Sequence, residues 1–404
     1  MKKLSIISLL LVLAVCFAAC NPSPAADPVT TDPATEPPVT NPITDPTIPD
    51  IEPVIENMYS VSLPVTTEEY HAEDNTLLYT YSYQTIYPAL PDRDVSDKLI
   101  MDFTNRIEQT RSTSSEILAE AESFYANASV FSPFSYEIQY DVTRIDQGVL
   151  SLYGHIIQIS DSSPMSRRLV SANYNMVTGD TLTLGSILYH ADTKDDLAAL
   201  VISHLENQDE IMLYDEFRDT VRSRFRSDES VDEEFYFSAT GLCFYFAPYE
   251  IAPRAYGTVV VEIPYNKLTG IIDDAYFPAE RSFTRGTLNL NAFNDADLES
   301  YQQFVEIVAE PDSVKLLLTT DSAVQDIRIN ELIWAKDGLT YTQTKNIYAS
   351  NFLYKDNAIL FEAKFDEFRP NYMLSYSIEG ATYVFYLIKD QATGQITLSS
   401  MNSF

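Results

Sequence analysis

Four histidines, three cysteines and a dense supply of carboxylates are the side chains with which this chain could do chemistry, and their spacing does not assemble a reaction centre. His71, His155, His190 and His204 fall in no zinc-binding pattern. His204 shares the apolar face of a helical segment, the setting of a packed core histidine. No serine stands in a nucleophile-elbow pattern, and no glycine-rich loop could cradle phosphate. Adjacent carboxylates, Glu233 with Glu234 and Asp273 with Asp274, have the residue types of glycoside hydrolysis, but among 59 acidic residues such neighbours arise by chance. Asn289, Asn291, Asn294, Asp295, Asp297 and Glu299 form an oxygen-rich cluster that lacks the glycine an EF-hand turn needs at its sixth position. Arg218, Arg222 and Arg226 step along one helix flank, where an anionic wall polymer could meet them; alternation with Asp215, Glu216 and Asp219 reads instead as a solvated face. The expectation is a protein without catalytic residues, metal or cofactor.

Charge narrows the partner. Lys and Arg number 26 against 59 Asp and Glu, a net charge of -33, which argues against nucleic acid and anionic membrane surface as ligands. Residues 58–281 alone hold 36 acidic and 15 basic side chains. Such a field speeds the approach of a cationic partner at low salt. Solubility of a surface protein is the plainer reason for the same acidity.

The N-terminus carries a processing pattern. Lys2 and Lys3 precede an apolar run from Leu4 to Phe17 that is short for a bilayer span, and Phe17-Ala18-Ala19-Cys20 resembles a lipoprotein cleavage site. Residues 1–19 are expected to be a signal peptide and Cys20 the site of lipid attachment, so that the chain meets the membrane through its anchor only, on the extracytoplasmic face of a single-membrane bacterium. Residues 20–57 form the tether, with ten prolines, seven acids, no base and no aromatic beyond Cys20, a composition that makes neither helix nor packed strand. After cleavage only Cys243 remains, so no disulfide can close within one chain.

Periodicity then divides the rest. Leu77 to Tyr87 alternates as a strand, and Pro91-Asp92-Arg93-Asp94 makes a turn and a helix start. Leu99, Phe103 and Ile107 mark one helical face, which resumes at Leu118, Ala121 and Tyr125 after a Ser/Thr-rich break. Three strand-like runs follow, then two helices marked by Leu197, Val201 and Leu205 and by Phe217, Val221 and Phe225, then strands again to Tyr265. Beyond Arg285 short runs separated by Asp-Gly, Glu-Gly and Thr-Gly turns predict a β-sandwich or small barrel. The fold class is α+β, with helices packed on antiparallel meander sheets and an all-β C-terminal domain. The expected domains are 58–172, 173–280 and 285–404, the last folding independently as a spacer or second adhesion surface.

Phe235-Tyr236-Phe237-Ser238-Ala239-Thr240-Gly241-Leu242-Cys243-Phe244-Tyr245-Phe246-Ala247-Pro248-Tyr249-Glu250-Ile251-Ala252-Pro253, continuing through Gly257 to Ile263-Pro264-Tyr265, resembles the end of the paired domains of unknown function in the ectodomains of lysozyme-sensing anti-sigma factors. The same pair accompanies the catalytic domain of some peptidoglycan deacetylases. Upstream, Tyr83 to Pro88 and Asn175 to Leu188, with its Thr178-Gly179-Asp180 turn, match that family's order, so the resemblance covers roughly residues 58–270. It implies an extracellular noncatalytic module that, in the sensors, binds lysozyme. The sigma-binding segment, the transmembrane helix and the deacetylase domain have no counterpart in the sequence, so signal relay and deacetylation do not carry over. A cationic protein such as lysozyme is the expected partner, peptidoglycan the alternative, and a wall-modifying enzyme a distant third. Pro248 and Pro253 bracket a rigid loop that could present Tyr249 and Glu250 to that partner. The competing reading makes the loop a structural corner, with Tyr249 in the core and Glu250 capping a turn.

Overall fold

Residues 58–161, 165–191, 193–208, 210–226, 234–279, 286–294, 300–335, 340–366, 369–378 and 380–400 are described by a computed structural model. Cys20, the leader and the tether lie outside them, as do Glu233, Asp295, Asp297 and Glu299.

Strands β1 (Ser60–Ser62), β2 (Val65–His71), β3 (Leu77–Gln84) and β4 (Tyr87–Ala89) precede helix α1 (Arg93–Asn127). Strands β5 (Phe134–Ile145), β6 (Val149–Ile159) and β7 (Ser166–Asn175) follow it. The helix starts where the sequence implies, because the Asp92 side chain accepts from the backbone N–H groups of Asp94 and Val95. It does not break at its Ser/Thr run. Ser115 Oγ donates to the Arg111 carbonyl at 2.9 Å, and Ser114 and Thr110 meet the hydroxyls of Tyr79 and Tyr81, each at 2.8 Å. Side-chain hydroxyls that would otherwise compete with the helix are satisfied within it or by the sheet beneath. Leu99, Phe103, Ile107, Ile117 and Ala121 face that sheet, whose order is β2-β3-β5-β6-β7. β3 and β5 run parallel, so α1 is the crossover of a mixed sheet rather than an insert laid on a meander.

A second core gathers short helix α2 (Leu184–Ile187), helices α3 (Thr193–Glu206) and α4 (Phe217–Arg226), and strands β8 (Phe235–Phe237), β9 (Gly241–Phe246) and β10 (Val259–Pro264). Leu197, Val201 and Leu205 meet Phe217, Val221 and Phe225 over Phe235, Phe237, Phe244 and Phe246, all buried. Gly241 opens β9 because a Cβ there would run into the Ile263 carbonyl of β10.

The remaining strands are β11 (Leu288–Ala292), β12 (Gln303–Val308), β13 (Val314–Thr320), β14 (Ala323–Trp334), β15 (Tyr341–Tyr354), β16 (Asn357–Ala363), β17 (Tyr372–Ile378), β18 (Ala381–Lys389) and β19 (Ile396–Ser399). They form a four-stranded sheet, β11-β13-β16-β12, and most of a seven-stranded one, β19-β18-β17-β14-β15-β1-β4. Leu316, Leu318, Ile359 and Phe361 of the first share a core with Ile327, Ile329, Tyr348 and Leu374 of the second, which is a sandwich.

Residues 285–404 do not complete their own sheets, since the seven-stranded one takes in β1 and β4. β1 pairs with β15 in the register Ser60↔Ser350, Val61↔Ala349 and Ser62↔Tyr348, and Ala349 belongs to the core around α1. Gln84 Nε2 donates to the Asn346 carbonyl at 2.9 Å, Gln139 Nε2 donates to the Thr344 carbonyl at 3.0 Å, and Lys345 meets Glu137 at 3.0 Å. Taking β15 away would leave these buried amide groups and the edge of β1 without partners.

Candidate functional site

The reactive inventory disperses in space. His71 lies 3.8 Å from Glu69, His190 packs edge-on against Tyr189, and the His204 ring nitrogen meets the Leu200 carbonyl one turn back at 2.9 Å. His155 is buried on β6, with Nδ1 3.0 Å from an Arg167 nitrogen. Burial, reinforced by that guanidinium, pushes it down to about 4, so it is neutral near pH 7. Burial likewise pushes the Cys243 thiol up to about 12, which keeps it protonated and unreactive. Asp273 caps a short turn by accepting from the Ala275 N–H at 2.9 Å, with Asp274 inside that turn, and Glu234 is drawn into an ion pair. Asn289 stands exposed on β11, and all three acidic members of the expected calcium cluster are outside the described residues. Among the described residues no group of three or more His, Cys, Asp and Glu is placed to hold a metal.

The arginine flank is exposed and paired, but only Arg222 takes an acid of its own alternation, Asp219 at 3.5 Å; Arg218 meets Glu206 at 2.6 Å and Arg226 meets Asp195 at 3.2 Å, both on α3. The consequential arginine of α4 is Arg224, absent from that stripe. It falls three residues after Val221 and seven after Phe217, on the apolar face, and that spacing was its only signal in the sequence. Its side chain is 5% exposed. Nη1 donates to Glu250 Oε1 at 2.9 Å, Nη2 donates to the Tyr245 carbonyl at 2.8 Å, Glu234 closes a second ion pair, and the guanidinium lies 4.5 Å from the Phe246 ring centre.

Through Arg224 the helix fixes the loop after β9. Glu250 Oε2 accepts from the Ala247 N–H at 2.8 Å while Oε1 holds Arg224, so Glu250 does cap the turn. Ile251 is fully buried and its carbonyl accepts from the Tyr214 N–H at 2.9 Å. Between these anchors Tyr249 is forced to φ 72°, a left-handed conformation costing an L residue about 1–3 kcal/mol. Its side chain is 62% exposed rather than packed in the core. The two sequence readings of the loop thus divide by residue: Glu250 is a corner, Tyr249 is on display.

Beside this loop runs a cleft of about 550 Å³. Its floor is five successive residues of β7, Arg167 to Ser171. Arg106, Thr110 and Thr113 of α1 form one wall, and Tyr245, Ala247 and Pro248 the other. Sequence gave no hint of the cleft, because its walls are brought together from segments more than a hundred residues apart.

Residues 187–266, from the end of α2 to just beyond β10, match the model of the family described as a protein of unknown function, DUF3298. The similar solved structures include the following two. A member of the DUF3298 family from Bacteroides fragilis shares 15% identity, with 53% of this chain and 94% of that chain covered and a TM-score of 0.41. A DUF3298 family protein from Pseudomonas aeruginosa shares 17% identity, with 55% and 97% covered and a TM-score of 0.37. No curated protein matches. No described helix is long and apolar enough to cross a membrane.

Proposed function

We propose that the chain is a lipid-anchored binding protein of the extracytoplasmic membrane face, noncatalytic, whose partner is lysozyme or another cationic wall hydrolase. The observation that carries the reading is Tyr249. A tyrosine held at φ 72° and 62% exposed makes little use of its ring within the fold, while the Glu250–Arg224 pair keeps the strained conformation in place. Rigid, exposed aromatics serve as interface anchors, since little side-chain entropy is lost on contact. Polarity of the partner follows from the net charge of -33. The anchor reading rests on Cys20 and its leader, and the lysozyme reading on the resemblance of the Phe235 to Tyr265 stretch.

A second reading, a peptidoglycan-binding accessory module, is favoured by the cleft beside the loop, whose 550 Å³ lies within the range of ligand pockets. Two experiments separate them. Size-exclusion chromatography of the full chain with lysozyme should give a joint peak at about 50 mM salt that splits at about 0.5 M, where screening shortens the reach of exposed charges. Co-sedimentation with purified wall sacculi that persists at the higher salt, with no lysozyme complex at the lower, would favour the glycan reading instead. For the anchor, Cys20→Ala should release the protein from membranes or block processing, and unchanged retention of a cleaved variant overturns it.

A further inference from the structure

We propose that the free edge of β7 is a docking site for an extended acidic peptide, which adds to the five-stranded sheet as a further strand and sets two neighbouring carboxylates against Arg167 and Arg168. β7 ends its sheet and pairs only with β6. Further along, the edge is closed by the returning chain, where Leu182 N–H donates to the Asn173 carbonyl at 2.7 Å and Asn175 N–H to the Asp180 carbonyl at 2.9 Å. Over Arg167 to Val170 no such closure is made among the described residues. In an antiparallel edge strand alternate residues turn N–H and C=O away from the sheet, so this stretch offers ladder positions to an incoming strand. The cleft follows that edge: five consecutive residues line it, which a cavity over one face of a strand would not touch.

Polarity selects the occupant. In a chain with 59 acids, Arg106, Arg111, Arg218, Arg222, Arg224 and Arg226 each reach a carboxylate. Arg167 and Arg168 close no ion pair among the described residues, although Arg167 is near enough to the buried Asp141 to favour its charged form. Arg167 gives one nitrogen to the neutral ring of His155, and the exposed Arg168 lies on the side of Tyr136. His155 and Tyr136 belong to opposite faces of the sheet, so the two guanidinium groups straddle the edge. Glu234, the acidic residue of the cleft wall, is engaged by Arg224. An added strand would present successive side chains to opposite faces in the same way. Two consecutive acidic residues flanked by apolar ones would meet one arginine each, with forked hydrogen bonds available to each carboxylate.

This edge adjoins the Pro248–Tyr249 loop proposed for a cationic partner, but it uses other side chains, and its test does not depend on that reading. The probe is a fluorescein-labelled, end-capped Val-Thr-Val-Glu-Glu-Val-Thr-Val peptide, read by fluorescence anisotropy against the full chain. Saturable binding is expected, weakened at least tenfold in the Arg167→Gln/Arg168→Gln protein, in a probe with Lys-Lys at its centre, and in a probe N-methylated on alternate backbone amides. Both arginines are exposed, so the double variant should stay folded, with the lost Arg167–His155 contact lowering its unfolding midpoint by no more than about 4 °C. Lysozyme binding by the double variant should be unchanged. No saturation up to about 1 mM peptide overturns the proposal. Equal affinity for the N-methylated probe, or displacement by polyphosphate at equal charge, reduces the cleft to a general anion patch and overturns it as well.

Discussion

Replacing Arg224 by Met tests whether one buried guanidinium holds the candidate loop. The substitution keeps an unbranched apolar stem of similar length over Phe246 and removes the charge that meets Glu250 and Glu234. Breaking a buried ion pair from one side costs about 3–5 kcal/mol, because the remaining charge is left in a poor solvent. Here the two carboxylates are 25% and 39% exposed and regain some water, which trims the expectation to about 2–4 kcal/mol. The Tyr245 carbonyl also loses its donor, a further reason to stay above 2. Urea unfolding of the parent, Arg224→Met and Arg222→Met gives the comparison. Arg222 is 48% exposed and its pair with Asp219 is long, so its removal should cost about 0.5 kcal/mol or less. Equal losses in the two variants, or a loss under about 1 kcal/mol at Arg224, would refute the reasoning.

Tyr249→Ala should leave stability within about 0.5 kcal/mol, as for an exposed site, while weakening the lysozyme complex at least tenfold, or about 1.4 kcal/mol; surface plasmon resonance checks the second and a thermal melt the first. His155 gives a pH dependence: its folded value of about 4 lies below the unfolded value of about 6.5, so its contribution is whole above pH 6.5 and is lost as pH falls toward 4. The unfolding free energy should therefore drop by about 3 kcal/mol more between pH 7 and 4 in the parent than in His155→Gln, and parallel curves would contradict the burial argument. Deleting residues 285–404 should abolish cooperative unfolding of what remains, since β1 and the buried Gln84 and Gln139 lose β15; a fragment with a sharp transition and parent-like circular dichroism would show that the junction is dispensable.

Local pattern and pairwise chemistry were readable in the sequence where one segment sufficed to specify them. Asp92 before a helical run, the four-residue spacing of Phe217, Val221 and Phe225, and the alternation of Phe235, Phe237, Phe244 and Phe246 each name their element because period and capping are local. The unbroken α1 was hidden, since Ser114 is tolerated there by the hydroxyl of Tyr79, which lies 35 residues earlier. β1 was hidden more deeply: three residues, Ser60 to Ser62, carry no information about a partner strand near residue 350. At the loop, bracketing prolines marked Tyr249 and Glu250, but which would cap and which would project depended on Arg224, a residue of another element. The β7 cleft is a property of three converging segments, which no periodicity encodes.

Isothermal titration of the full chain with lysozyme at about 50 mM salt, repeated with Tyr249→Ala, tests the central claim most directly. The account predicts a saturable complex for the parent, at least tenfold weaker for the variant and weaker for both at about 0.5 M salt. No heat and no complex at low salt, or equal affinity with and without the Tyr249 ring, would contradict it.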